Sequence, residues 1–356
     1  MLPAFALLAG LLNAIFYLWG KHFLTKKQQV MKILFIGGTG NISGACTRLA
    51  LKQGHEVFHL NRGNRIAPEG VQTIQADIND ESAVDKALEG QVFDVVANFI
   101  AFTEEDVARD FRLFADRTSQ YIFISSASAY QKPLSHPVVT ESTPLKNPFW
   151  QYSRDKIACE DFLMKVYREK NFPITIVRPS LTYETVIPVA IGGWTEYTII
   201  DRIKKGKPVI VHGDGSSLWT ITHSIDFAKG FNGLFGHQQA IGHSFHITSD
   251  EILTWDQIYD AVAAAAGFPA QKIHIPSDFI TKFDITQTGN LTGDKAVSVI
   301  FDNSKIKSFV PEFKASIPFK QGIKDTLKWL EASPERMVIS KETNVFMDKV
   351  IEAYGK

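Results

Sequence analysis

The sequence predicts an α/β protein: a parallel sheet covered by helices on both faces, carrying a smaller C-terminal lobe. Three observations predict it. Strand-like and helix-like segments alternate from residue 32 to residue 180. Several of the strand segments are apolar almost throughout, as strands buried on both faces require. The first of them runs directly into glycines that open a helix.

Taken in order, KILFIGG (32–38) reads as the first strand and NISGACTRLALKQG (41–54) as a helix stopped by Gly54. HEVFHLNR (55–62) and VQTIQADI (71–78) are the second and third strands, and DESAVDKALEG (80–90) is the helix that follows. FDVVANFIA (93–101) and SQYIFISSASAY (119–130) give strands four and five. A helix over QYSRDKIACEDFLMKVYREK leads to FPITIVRPS (172–180), the sixth strand. Beyond Ser180 the rhythm weakens into a glycine- and aromatic-rich stretch. FHITSDEILTWDQIYDAVAAAAG (245–267) then holds a strand and a helix, with Ser249 or Asp250 as its cap. PFKQGIKDTLKWLEA (318–332) is an amphipathic helix. These elements divide the chain into an apolar extension (1–30), a dinucleotide-binding domain (31–180), a mixed substrate lobe interleaved with the sheet (181–335) and a helical tail (336–356).

In IGGTGNISG (36–44), Gly37 lets the chain turn sharply and Gly40 removes a side chain where backbone must approach a pyrophosphate. Asn41 and Ile42 start the helix whose N–H groups face the phosphates. The second strand ends in Asn61, where an NAD site usually carries an acid for the ribose 2′-OH. Arg62 and Arg65 follow, and a guanidinium can pair with a 2′-phosphate. The reading is therefore NADP or NAD, with NADP slightly favoured. Asp77 and Ile78, in QADI, lie where a carboxylate would meet the adenine amino group, or where it would simply close a turn.

Tyr152 and Lys156 are one helical turn apart, on one face. A phenol with an ordinary pKa near ~10 is a poor base, and a neighbouring ammonium favours its ionised form. Tyr152 could then exchange a proton with a substrate hydroxyl while hydride leaves or reaches the same carbon. Ser126, at the carboxyl end of strand five, offers a partner for the substrate oxygen.

These stretches, with GGTGNIS, QADI, DVVANFIA, ISSASAY, YSRDK, IVRPS, HGDGSS and FDNSKIK, make the chain from about 31 to 330 resemble the extended short-chain dehydrogenase/reductase family, the NAD-dependent epimerase/dehydratase group. The resemblance implies a Rossmann-type doubly wound sheet with a smaller C-terminal substrate lobe. It implies Ser126, Tyr152 and Lys156 as the catalytic triad, and Gly37, Gly40, Asp77 and the Ala101 backbone as cofactor contacts. It further implies a small-molecule substrate, such as a sugar or sugar nucleotide, and a homodimer paired through the tyrosine helix. The sequence departs from the pattern in five places, one being the missing Gly-Pro after the tyrosine of IVRPSLTYE. Ser43 stands at the third glycine of the loop, and Ala127 and Ser128 replace the acid pair of the dehydratases. Leu181 replaces an asparagine, and Trp219 replaces an arginine that would bind a substrate diphosphate. Trp219 is read either as a stacking platform for substrate or as core, and His223 either as lining the cleft or as a structural hydrogen-bonding residue.

Equal numbers of basic and acidic residues, 38 each, give no net field toward a polyanion, so nucleic acid is not an expected partner. A non-catalytic nucleotide- or RNA-binding protein on the same fold, as some chloroplast relatives of the family are, remains the alternative. Two cysteines, Cys46 and Cys159, make no disulfide framework and suggest a reducing, cytoplasmic setting. His243 and His246 lack the companions of a metal site, and none is expected. Residues 2–20 carry no charge and are followed by KHFLTKK, which fits a tether on the cytoplasmic face of a membrane. A natural start at Met31 and a soluble packing helix are the other readings.

Overall fold

The computed structural model describes residues 29–355; the apolar stretch 2–20 and the readings attached to it lie outside them. Among the described residues no helix is long and apolar enough to cross a membrane.

The sheet is built from β1 (Lys32–Ile36), β2 (Glu56–Asn61), β3 (Gln72–Gln75), β4 (Val95–Asn98), β5 (Tyr121–Ile124), β6 (Ile174–Arg178) and β7 (Ser244–His246). The spatial order is β7-β6-β5-β4-β1-β2-β3, and every pairing in it is parallel. Pairing of β1 with both β2 and β4 puts the reversal of strand order beside β1, which opens a crevice at its carboxyl end. The four buried residues of β1 alternate between two cores. Ile33 and Phe35 pack with α1 (Asn41–Lys52) and α5 (Ser224–Gly233) on one face. Leu34 and Ile36 pack with α2 (Glu81–Ala87), α3 (Glu104–Phe114) and α4 (Gln151–Lys170) on the other. Full burial on both faces is why the strand carries no polar residue after Lys32.

Several expected boundaries are too wide. The fifth strand stops at Ile124, and residues 127–129 form a 3₁₀ turn, so Ser126 leaves the sheet at its edge. The third strand ends at Gln75, before Asp77. The helix expected to be capped by Ser249 or Asp250 is α6 (Trp255–Ala266), and its cap is Thr254. Thr254 Oγ1 accepts from Gln257 N at 3.1 Å, and Gln257 Oε1 accepts from Thr254 N at 2.9 Å. Pairing of Leu253–Thr254 with Leu218–Trp219 keeps the chain extended up to that point. Asp250 instead bonds Asn303 and Lys307.

The C-terminal lobe has its own core, including Trp219, Trp255, Tyr259, Ile323 and Leu327. It shares the sheet with the first half, because β7 and α5 both come from beyond residue 181. The tail helix α7 (Lys341–Tyr354) buries Met347 and Val350 in this core, and Asp348 pairs with buried Arg202 at 2.7 Å.

Candidate active site

The glycine loop turns where the sequence places it. Gly37 has φ +81°, and a Cβ there would come within 2.6 Å of the Ile100 side chain. At Gly38 a Cβ would stand 2.3 Å from the His59 ring. Ser43 holds the loop shut in place of a glycine: its hydroxyl donates to Gly37 O at 2.7 Å and accepts from Gly40 N at 2.8 Å. A cavity of about 750 Å³ opens beside this loop, lined among others by Gly37, Gly40, Asn61, Arg62, Asp77 and Ile78. Asn61 Oδ1 accepts from Gly63 N, while its Nδ2 is buried without a partner. An orphaned amide donor at the end of β2, and a cradle that side chains would fill, fit a dinucleotide. Arg65 also lines this cavity, and its guanidinium reaches Thr39 O at 3.4 Å. Asp77 closes a local turn by accepting from Asn79 N.

Two expected contacts are already engaged within the protein. The Asn41 amide donates to Thr182 O and accepts from Thr185 N and Oγ1, strapping the loop to the second half. The Ala101 carbonyl accepts from Lys156 Nζ at 2.6 Å; its neighbours Ile100 and Phe102 line the cavity instead.

A second cavity, about 410 Å³, brings Ser126, Tyr152 and Lys156 together with Ile42, Trp150 and Trp194. A smaller space lined by Gly37, Gly40, Ile42 and Trp194 joins it to the loop cavity. Helix α4 sets the geometry. Ser153, Lys156, Cys159, Leu163 and Val166 form its buried stripe, and Tyr152 stands at its first turn, half-buried at the cavity. Lys156 is buried and donates to Ala101 O and to Ile124 O at 2.8 Å. Its ammonium sits 5.8 Å from the centroid of the Tyr152 ring. Burial pulls the Lys156 pKa down to about 8, with nearby acidic side chains and Cys159 acting against it.

The expected lowering of the phenol pKa is not what the protein alone provides. Burial raises Tyr152 above the usual phenol range, and the Ser126 hydroxyl only partly offsets it. Lys156 is directed at two carbonyls rather than at the hydroxyl, which is why its charge does not ionise the phenol.

The structure does not bring Trp219 or His223 to the cavity. Trp219 is core, with its ring centroid 5.5 Å from that of Trp255. His223 caps α5 by accepting from Ile225 N, and its ring packs edge-on to Tyr183. Cys159 is buried and its thiol is pushed up to about 12, consistent with packing. His246 is engaged at both nitrogens, with Tyr130 and Asp302 O.

Sequence reasoning missed Trp150, Trp194, Asp294 and Lys295. Trp150 precedes the helix by one residue, and its ring lies 5.1 Å from that of Tyr152. Gly289 makes room for it, since a Cβ there would meet the indole at 2.3 Å. Lys295 pairs with Asp294 at 3.1 Å and lies 5.8 Å from the Trp150 ring. The closeness of Trp150 to Tyr152 in sequence was a usable signal. Nothing local marks Asp294 or Lys295.

Comparison with known proteins adds to this geometry. A model of the NAD dependent epimerase/dehydratase family matches residues 107–248, and one of the NmrA-like family matches residues 29–115. The 2′-dehydrokanamycin reductase of Streptomyces kanamyceticus is 24% identical over 255 residues, 71% of this chain and 72% of that one. The chloroplast stem-loop binding protein of 41 kDa b of Arabidopsis thaliana is 27% identical over 265 residues, 70% of this chain and 67% of that one. Among solved structures, the epimerase Mth375 of Methanothermobacter thermautotrophicus superposes with a TM-score of 0.69 at 15% identity, covering 87% of this chain and 95% of that one. The UDP-glucuronic acid 4-epimerase of Bacillus cereus, in complex with UDP-glucuronic acid and NAD, superposes with a TM-score of 0.66 at 19% identity, covering 84% of this chain and all of that one. The two structural likenesses establish the fold.

Proposed function

We propose, from the site and from the match of residues 107–248 to the NAD dependent epimerase/dehydratase family, that the protein moves hydride between a nicotinamide cofactor and a secondary alcohol or its ketone, with Tyr152 as acid and base. One observation carries this reading: Ser126, Tyr152 and Lys156 converge on a cavity joined to the glycine-loop cavity.

Gly37, Gly40 and the first turn of α1 hold the cofactor phosphates, and Asn61, Arg62 and Arg65 hold the adenosine ribose, with NADP favoured by the arginines and by the lack of an acid at Asn61. When bound, the nicotinamide supplies or accepts the hydride. Tyr152, raised by burial, keeps its proton at neutral pH. It is therefore set to donate that proton to a ketone oxygen. Ser126 binds the same oxygen. Lys156 fixes the floor of the site through its two carbonyls and holds positive charge under the phenol.

The substrate class follows from the walls. Trp150, Trp194 and Phe102 present aromatic faces, while Asp294 and Lys295 present polar groups. Flat apolar faces beside hydroxyl partners suit a sugar or another polyol ring. Neither this cavity nor the 550 Å³ cavity beyond Trp150 and Trp194 has arginine among its described lining residues. A nucleotide diphosphate is thus disfavoured as the carrier. The relative named 2′-dehydrokanamycin reductase is consistent with that.

The test is oxidation of NADPH and NADH by the purified protein across a panel of keto sugars and simple ketones. Turnover with at least one ketone, lost in Tyr152→Phe, is the expected result. Cofactor binding without turnover, together with tight, salt-sensitive RNA binding, would instead support the non-catalytic reading that the stem-loop binding relative suggests.

A further inference from the structure

We infer that Asn147, Ser153 and Ser128 form an oriented chain of hydrogen bonds that fixes Ser126 as a donor to the substrate oxygen, which makes Ser128 a positioning residue. This deepens the proposed function, resting on Ser126 as the group that meets that oxygen.

The orientation can be read from the partners, starting at the buried end. Asn147 Oδ1 accepts from Phe149 N at 3.1 Å, which fixes which end of its amide is nitrogen. That nitrogen donates to Ser128 O at 2.8 Å and Gly293 O at 2.7 Å, and lies 3.3 Å from Ser153 Oγ. An amide nitrogen does not accept, so the Ser153 proton goes to Ser128 Oγ, 2.8 Å away. Ser128 Oγ, having accepted there, donates onward to Ser126 Oγ at 2.9 Å. Ser126 Oγ also faces the Ser128 backbone N–H at 3.2 Å. Both of its lone pairs then face donors, and its own proton turns into the cavity.

A hydroxyl held this way suits an oxygen that accepts: a ketone, or the negative charge that grows on it during reduction. Ser128 is 4% exposed, Asn147 2% and Ser153 0%, so water does not compete along the chain. Ser153 is the residue after Tyr152 on α4, so one helix turn carries both the acid and the root of the chain. Asn147 is tied to Gly293, next to Asp294 and Lys295 in the substrate wall, which links the position of that wall to the orientation of Ser126. In the resemblance drawn from the sequence, Ser128 falls where the dehydratases carry an acid. The hydroxyl provides polarity without a second titrating group.

The experiment compares Ser126→Ala, Ser128→Ala, Ser128→Thr and the double variant Ser126→Ala/Ser128→Ala on whichever ketone of the panel the wild type reduces fastest. Ser126→Ala is expected to lower kcat about 100-fold, as loss of a direct oxyanion donor does. Ser128→Ala should lower kcat about tenfold, the scale of one hydrogen bond, with the KM for cofactor unchanged and a lowered but still cooperative melting transition, since buried Ser153 loses its acceptor. Ser128→Thr, which keeps the hydroxyl, should recover most of that loss. The double variant should be no worse than Ser126→Ala alone, because Ser128 acts only through Ser126. If the Ser128 loss adds in full to the Ser126 loss, or if Ser128→Ala leaves kcat unchanged, the chain is overturned.

If no ketone turns over, the proposed function falls but the chain is still tested by NMR titration of ¹³C-labelled Tyr152, assigned with Tyr152→Phe. Ser126→Ala and Ser128→Ala should both move the phenol midpoint upward. A midpoint that Ser128→Ala leaves in place refutes the chain.

Discussion

The two halves of the molecule solve different problems. From β1 to β6, every strand of the seven-stranded sheet is four to six residues long and parallel, and all but the edge strand β3 are buried along most of their length. From Leu181 onward, most strands are two or three residues long, only Pro208–His212 and Gln271–Ile275 reach five, and the cavity wall comes from the loop 189–194 and the short helical turns of 287–295. The difference teaches a division of labour under the proposed function: the regular half would fix the atoms that react, while the irregular half would shape what can reach them. Substitutions should therefore separate: chemistry lost in one half, fit or fold lost in the other.

The largest effect should come from Tyr152→Phe, which keeps the ring against Trp150 and removes the proton donor. Turnover is expected to fall by about 10² to 10⁴, with cofactor affinity by calorimetry nearly unchanged. A variant that keeps most of its activity would place the acid elsewhere.

The tryptophans test the second half. Trp219→Ala should cost about 3–5 kcal/mol in denaturant unfolding, because the residue is core. Trp194→Ala, about half exposed at the cavity, should cost under ~0.5 kcal/mol and instead raise the substrate KM. Exchange of these outcomes would return Trp219 to the site.

Acid should weaken both halves. His59, beneath the glycine loop, and His212, in the lobe, are held by burial from an ordinary 6.5 to about 4. Their lowered folded pKa means the unfolded chain binds more protons between those values. Stability present above about pH 6.5 is thus lost as pH falls toward 4, by roughly 2–3 kcal/mol per histidine at ~1.4 kcal/mol per unit. His59→Gln or His212→Gln should flatten its share of that slope. An unchanged slope would mean the ring is not neutral in the fold.

The smallest effect concerns cofactor choice. Asn61→Asp should shift the NADP/NAD preference toward NAD by about tenfold, by setting a carboxylate against a 2′-phosphate. An unchanged ratio would remove Arg62 and Arg65 from that role.

How much of this was legible in the sequence follows the same division. The order of elements in the first half, the glycine turn and the pairing of Tyr152 with Lys156 all follow from local period and spacing. The polarity of the site did not. Spacing put the ammonium beside the phenol, but the carbonyls of Ala101 and Ile124, brought in by β4 and β5, claim it instead. Trp219 occupies the position expected for a substrate contact, yet its strand pairs with Leu253 and turns the indole toward Trp255. Trp150 finds its place only through Gly289, 139 residues on, and no local pattern encodes such a contact.

The central claim is that hydride passes at the cavity holding Tyr152. Its most direct test is to supply reduced cofactor carrying deuterium at the transferable position of the nicotinamide, with the keto substrate panel, and to analyse the alcohol products by mass spectrometry. The expected result is a single deuterium on the carbon that gains the hydroxyl, formed by the wild type and suppressed in Tyr152→Phe. Products without deuterium, or the same labelling from the variant, would contradict the account.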